Sequence, residues 1–125
     1  MYAKTLTELE AYKQAFALQQ EVFEISKRFP REERYALTDQ IRRSSRSVGA
    51  NLAEAWRKRQ YPAHFRSKLS DADAELEETR HWLRTAAVCD YLEEPPDGLV
   101  ARADTVGRLL GSMMRNAEVW CRRIS

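Results

Sequence analysis

The sequence predicts an all-α protein, an antiparallel up-down four-helix bundle built as one domain over residues 1–125. Three observations predict it. Apolar residues recur at spacings of three and four along four long stretches, the period of a helix that buries one face. The chain holds only 4 Gly and 4 Pro, with Pro30, Pro62 and the Pro95-Pro96 pair at the breaks between those stretches. The connections are short, and short connections set successive helices of a bundle antiparallel. The expected helices are about residues 6–29, 36–59, 62–90 and 97–124. At 125 residues there is material for one hydrophobic core and not two.

The first helix opens at Thr7-Glu8-Leu9-Glu10, which has the spacing of a capping box. Leu9, Tyr12, Phe16 and Phe23 form one apolar stripe. Ala15, Leu18, Val22, Ile25 and Phe29 form a second beside it, so this helix should touch two neighbours. Pro30 ends it by pushing Phe29 out of the α region. The second helix carries Leu37, Ile41, Ser44, Val48, Leu52 and Ala55 in register, and its small residues (Ser44, Ser45, Ser47, Gly49, Ala50, Ala53) invite close approach by a neighbour. Pro62 suits the first turn of the third helix, where a missing N–H costs nothing. Phe65, Leu69, Ala72, Leu76, Thr79, Leu83 and Ala86 give that helix its buried stripe, opposite Asp71, Asp73, Glu75, Glu77 and Glu78. The stretch from Cys89 to Gly98 is dense in turn residues. Leu99, Ala103, Val106, Leu110, Met113, Ala117, Trp120 and Ile124 then define the last helix, on which Gly107 and Gly111 would permit close contact.

Net charge is only +2, so the overall balance does not mark a nucleic-acid binder; the distribution says more. Residues 30–61 hold eight basic against four acidic side chains, and residues 62–94 hold four against eight. The second and third helices are electrostatic opposites. No apolar run approaches the roughly 18 residues of a membrane span, and the first 29 residues lack the apolar core of an export signal. A cytoplasmic protein with no membrane partner is expected, with Cys89 and Cys121 as free thiols.

At the second helix the sequence becomes similar to a known family. Phe29-Pro30, Glu33-Arg34-Tyr35-Ala36-Leu37, Gln40-Ile41-Arg42-Arg43, Ser47-Val48 and Asn51-Leu52-Ala53-Glu54-Ala55 resemble the pattern FP-x-x-E-x-Y-G-L-x-x-Q-I-R-R-A-x-x-S-I-x-x-N-I-A-E-G. That pattern belongs to the four-helix-bundle proteins encoded in intervening sequences of bacterial large-subunit ribosomal RNA genes. Glu75-Leu76-Glu77 and Cys89-Asp90-Tyr91-Leu92 look like the family's E-L-E and L-G-Y-L. Ala36 and Ala55 stand where the family has Gly, and Ala72 where it often has Ser. The same superfamily includes the accessory variability protein of diversity-generating retroelements, whose last helix is similar to residues 106–112. The resemblance implies a homopentamer of bundles. For the retroelement branch it also implies binding to RNA or DNA and to a reverse transcriptase.

Four sets of residues are candidates for function. Arg42, Arg43 and Arg46 share one helical surface, and Arg57, Lys58 and Arg59 add charge at the helix end. Such a face holds a phosphate backbone through contacts that ignore sequence; equally, it could pair with the acidic third helix. Asn51 and Glu54, three apart among small apolar residues, read as a buried polar network that fixes helix register. Glu78-Thr79-Arg80-His81 has the E-x-x-H spacing of di-iron bundles, but no second copy accompanies it. His64 lies about 260° round the helix from His81, so no metal and no cofactor are expected. Arg59-x4-His64 resembles the R-x(4–6)-H motif of HEPN-class ribonucleases, with Pro62 intruding and Gln60 in place of the usual Asn, Asp or His. That leaves a non-enzymatic accessory or scaffold as the primary reading, an assembly module as its rival and a ribonuclease as the remote alternative. Trp56 and Trp82 sit beside the core stripes as interface anchors, and Trp120 reads equally as core.

Overall fold

The computed structural model describes residues 3–93 and 96–122. Helices and turns account for the described residues, with no strand among them. A 3₁₀ turn, Leu6–Glu8, leads into α1, Glu10–Ser26. The T-x-x-E spacing occurs at Thr5 as well as Thr7, and the earlier copy closes the entry. Thr5 Oγ1 donates to Glu8 Oε1 at 3.1 Å, and the Lys4 N–H reaches Glu8 Oε2 at 3.3 Å. The capping box expected at Thr7 and Glu10 does not form, because α1 starts from Leu9, which is buried. Ala11, Ala15, Leu18, Val22 and Ser26 make the buried stripe of α1. The other stripe is largely surface: Tyr12 and Phe23 are half-buried and Phe16 is exposed.

The second helix begins with a wide turn. Residues Arg34–Thr38 are π-helical, the Asp39 N–H reaching back to the Arg34 carbonyl, and α2 follows as Asp39–Arg57. Leu37 and Thr38 are both buried in this turn, and the adjacent pairs Ser44-Ser45 and Val48-Gly49 continue a wide buried face along α2. Lys58 caps α2, so this helix is shorter at its C-terminal end than the expected 36–59. α3, Pro62–Val88, buries the same seven residues the periodicity picks out. α4 spans Asp97–Arg115, and a separate short helix, α5, spans Ala117–Arg122. The sequence predicts one helix over 97–124. Asn116 divides it, its side-chain amide donating to the Ser112 carbonyl at 2.9 Å and its own carbonyl accepting from Val119 and Trp120. An asparagine amide that competes for the helix carbonyls in this way favours a cap over a helix interior. Ile124 lies outside the described residues.

α1 packs on α2 and α4, and α3 packs on the same two helices. Cross-helix bonds run in opposite senses along the two seams of α3. Between α2 and α3, Glu54 meets Lys68, Arg43 meets Glu75, and farther along Glu33 meets Tyr91. Between α3 and α4, Arg66 meets the Met114 carbonyl and Arg80 meets Asp104. The core centres on Leu18, Ile41, Leu52, Phe65, Leu76 and Leu110, each essentially inaccessible and each contributing about 1.5–3 kcal/mol by leaving water. Gly107 faces α3, but a Cβ there would stand 3.5 Å from Leu76 and Arg80, an ordinary packing distance, so the approach of the two helices does not require glycine. Gly111 faces Arg115 of its own helix and makes no such contact.

Candidate nucleic-acid interface

Opposite the buried stripe of α2 runs its basic face, and the structure divides that face into three parts. Arg43 is committed to α3. Its guanidinium bridges Glu75, at 2.8 Å, and Glu78, whose carboxylate also accepts from Trp82 Nε1 at 3.0 Å. The Trp82 bond and the Arg43 charge hold the Glu78 carboxyl below the usual glutamate range. The Glu78 bond in turn raises Arg43 above the usual arginine value. To this extent the arginines pair with the acidic third helix.

Arg42 and Arg46 are arranged otherwise. Both lie over the ring of Phe23 on α1, their guanidinium carbons 4.7 and 5.6 Å from its centroid. Arg42 Nε also donates to Ser26 Oγ at 2.7 Å, and Ser26 Oγ in turn donates to the Phe23 carbonyl at 2.8 Å. Neither arginine makes an ion pair with a carboxylate among the described residues. Asp39 lines the same open groove with Arg42, Arg43, Arg46, Ser47 and Ala50; it sits in the first turn of α2, where the helix dipole favours an acid. Phe23 is the residue the sequence reading missed. No signal in the spacing marked it, since Phe23 reads there as one more apolar residue of an α1 stripe.

The third part is the end of α2. Arg57 and Lys58 are exposed and have no carboxylate partner among the described residues. Arg59 folds back, donating Nε to the Trp56 carbonyl at 2.9 Å with its guanidinium 3.6 Å from the Trp56 ring centroid. Burial there lowers its pKa. Trp56 meets Trp120 edge-on at 6.2 Å. His64, in the first turn of α3, is exposed and packs edge-on against Tyr61 at 5.8 Å. Arg59 and His64 are thus each taken up by a separate aromatic ring.

The remaining candidates change character. Glu54 is exposed and pairs with Lys68 at 3.4 Å, while Asn51, half-buried, donates its amide to the Ser47 carbonyl at 2.9 Å. The expected buried network of Asn51 with Glu54 does not form within the chain, because Glu54 lies on the outward side of its turn. In the E-x-x-H segment Glu78 is engaged as above and His81 packs edge-on against Trp82 at 4.8 Å. Among the described residues no three acidic, His or Cys side chains group as metal ligands, Cys89 and Cys121 are unbonded, and no helix is long and apolar enough to cross a membrane.

Comparison with known proteins now decides the family. A sequence model of the 23S rRNA-intervening sequence proteins matches residues 7–112. The chain belongs to the 23S rRNA-intervening sequence protein family. The matched stretch takes in the whole of α2 and α3 and every cationic residue of the candidate interface; the Asn116 break and α5 fall beyond it. A solved structure similar to this member is a protein of unknown function from the S23 ribosomal protein family of Bacteroides thetaiotaomicron VPI-5482. The two are 26% identical with a TM-score of 0.74, over 84% of this chain and 98% of that one. Among curated proteins none matches the chain.

Proposed function

We propose that this family member is a non-enzymatic, cytoplasmic, homo-oligomeric protein that binds the phosphate backbone of RNA or DNA through α2, as an accessory or scaffold. We read the chain as a single antiparallel up-down bundle, a reading supported by the opposed bond ladders along the helix seams. The observation that carries the functional reading is the state of Arg42 and Arg46. Two guanidiniums are held on an aromatic ring, at the edge of an open groove, and neither is ion-paired with a carboxylate among the described residues. Arg57 and Lys58 extend the same charge toward the end of α2. In a ring of subunits, with five suggested by resemblance, these few cations per chain would repeat into a long track. Exposed Phe16, its ring tilted against Tyr12 with centroids 6.1 Å apart, supplies apolar surface for assembly. A reverse transcriptase as partner follows from resemblance to the retroelement branch alone.

The Arg43 bridge to Glu75 and Glu78 favours the rival reading, an assembly module in which charge serves only packing. Binding measured against salt separates them. A generic duplex of RNA or DNA should bind with little sequence preference, each neutralised phosphate contributing about −0.9 to the slope of log K against log salt. Replacing Arg42 and Arg46 together by Gln should weaken binding and flatten that slope, with circular dichroism and sedimentation mass unchanged. No binding by the wild type at about 50 mM salt, where a multi-phosphate contact is strongest, overturns the proposal in favour of the assembly module.

A further inference from the structure

The ring of Phe23 gathers not two cations but three. Lys27, one turn along α1, places Nζ 4.8 Å from the same centroid and pairs with Glu24 at 3.1 Å. Three like charges within about 6 Å of one ring repel one another, and cation–π attraction at an exposed ring returns only about 0.5–1 kcal/mol each. Of the three, only Lys27 has a carboxylate among the described residues. Ser26 then fixes Arg42 from a fourth direction, its hydroxyl accepting the Nε proton. That bond occupies the side of the guanidinium and leaves the two terminal nitrogens for a ligand. They are the pair that grips two oxygens of a phosphate in a fork.

We propose that Phe23, Ser26, Arg42, Arg46 and Lys27 form a preorganised clamp for a single phosphodiester group of a nucleic-acid backbone, in which Phe23 and Ser26 are positioning residues. The clamp rests on the nucleic-acid reading of α2 and deepens it by naming the α1 residues that set the arginines. Long arginine side chains lose rotamer freedom on binding; holding them on a ring beforehand removes part of that cost. A positioning residue should therefore change affinity without changing the number of charges neutralised.

A fluorescein-labelled 20-base-pair RNA duplex and the matching DNA duplex, titrated with the full chain, provide the test. Phe23→Leu should weaken binding about five- to tenfold with the salt slope unchanged, whereas Arg42→Gln with Arg46→Gln should flatten the slope. Phe23→Tyr, which keeps the ring face, should restore affinity, and Ser26→Ala should weaken it about two- to threefold. The clamp also has a signature without ligand. In proton NMR the side-chain CH₂ protons next to Arg42 Nε should be shifted upfield by the Phe23 ring, and the shift should vanish in Phe23→Leu. Wild-type binding with Phe23→Leu unaffected overturns the clamp and leaves the functional reading standing. Absence of the ring shift in the wild type overturns the clamp whatever the binding result. Absence of wild-type binding overturns both.

Discussion

The hydroxyls of Ser44 and Thr79 meet at 2.9 Å, both fully buried, between α2 and α3. Each has a backbone carbonyl of its own helix in reach, Ile41 for Ser44 at 3.3 Å and Glu75 for Thr79 at 2.9 Å. Each hydroxyl has one proton, so one hydroxyl donates across the seam while the other donates to its own helix. The small Ser44 is what lets the β-branched Thr79 sit opposite it, and the bond sets the register of α2 against α3.

Thr79→Val keeps the shape and removes the bond. It should cost about 1 kcal/mol, since Ser44 retains Ile41 as acceptor for its proton but loses its donor. Adding Ser44→Ala should recover part of that cost. Urea denaturation of the two single variants and the double variant measures the coupling; strictly additive effects would show that the hydroxyls act independently.

Asp90 follows α3 with φ of 63°. The Asp90 N–H bonds the Ala87 carbonyl at 3.1 Å and the Tyr91 N–H bonds the Ala86 carbonyl at 2.9 Å. This pair of bonds is the Schellman arrangement, which favours glycine at the left-handed position. It accounts for the glycine of the family's L-G-Y-L at the place of Asp90. Asp90→Gly should raise stability by about 0.5–1 kcal/mol, seen as a higher urea midpoint, with Asp90→Val lowering it.

The core was legible because burial follows period: all seven buried residues of α3 lie on the stripe read from spacing. What was not legible came from competition between side chains and backbone. The T-x-x-E spacing occurs twice at the start of α1, and only the burial of Leu9 selects between the copies. Asn116 breaks the last helix through a bond to Ser112 that leaves the apolar period intact. At the candidate site the charges were visible as a run, but their division was not. Which of Arg42, Arg43 and Arg46 meets a carboxylate depends on the rotation of α2 against two neighbours, and Phe23 reaches Arg42 and Arg46 from α1, a separate helix earlier in the chain.

Tyr91 ties the end of α3 to the entry of α2. Its hydroxyl donates to Glu33 Oε2 at 2.7 Å, and its ring lies 6.1 Å from that of Phe29. The bond to Glu33 pushes the phenol from 10.0 up to about 12. A group whose pKa rises on folding stabilises the fold below its unfolded value and loses that contribution as pH climbs through its folded value. The stability margin of wild type over Tyr91→Phe should therefore be full below pH 10 and disappear as pH passes about 12. Thermal midpoints of the two proteins compared across that window check it, because all other alkaline titrations are shared. A margin independent of pH would mean that the phenol does not depend on Glu33.

Arg43 provides the contrast that separates structural from functional charge on α2. Its partners are partly open to water, with Glu75 and Glu78 side chains 21% and 33% exposed and Arg43 itself 47% exposed. Screening at such exposure keeps the bridge below about 1 kcal/mol. Glu78 has its pKa lowered on folding, so its contribution is complete above the ordinary glutamate value of 4.5 and is lost as pH falls through the lowered one. Glu78→Gln imitates the protonated acid while keeping an oxygen for Trp82 Nε1. Denaturation midpoints of wild type and Glu78→Gln should thus differ slightly at neutral pH and converge on acidification. Arg43→Gln should show a similar small loss of stability and leave the salt slope of nucleic-acid binding unchanged, unlike the paired change at Arg42 and Arg46. If Arg43→Gln flattens that slope as much as the paired change does, Arg43 leaves Glu75 and Glu78 on binding, and the bridge is a latch on the cationic face rather than part of the frame.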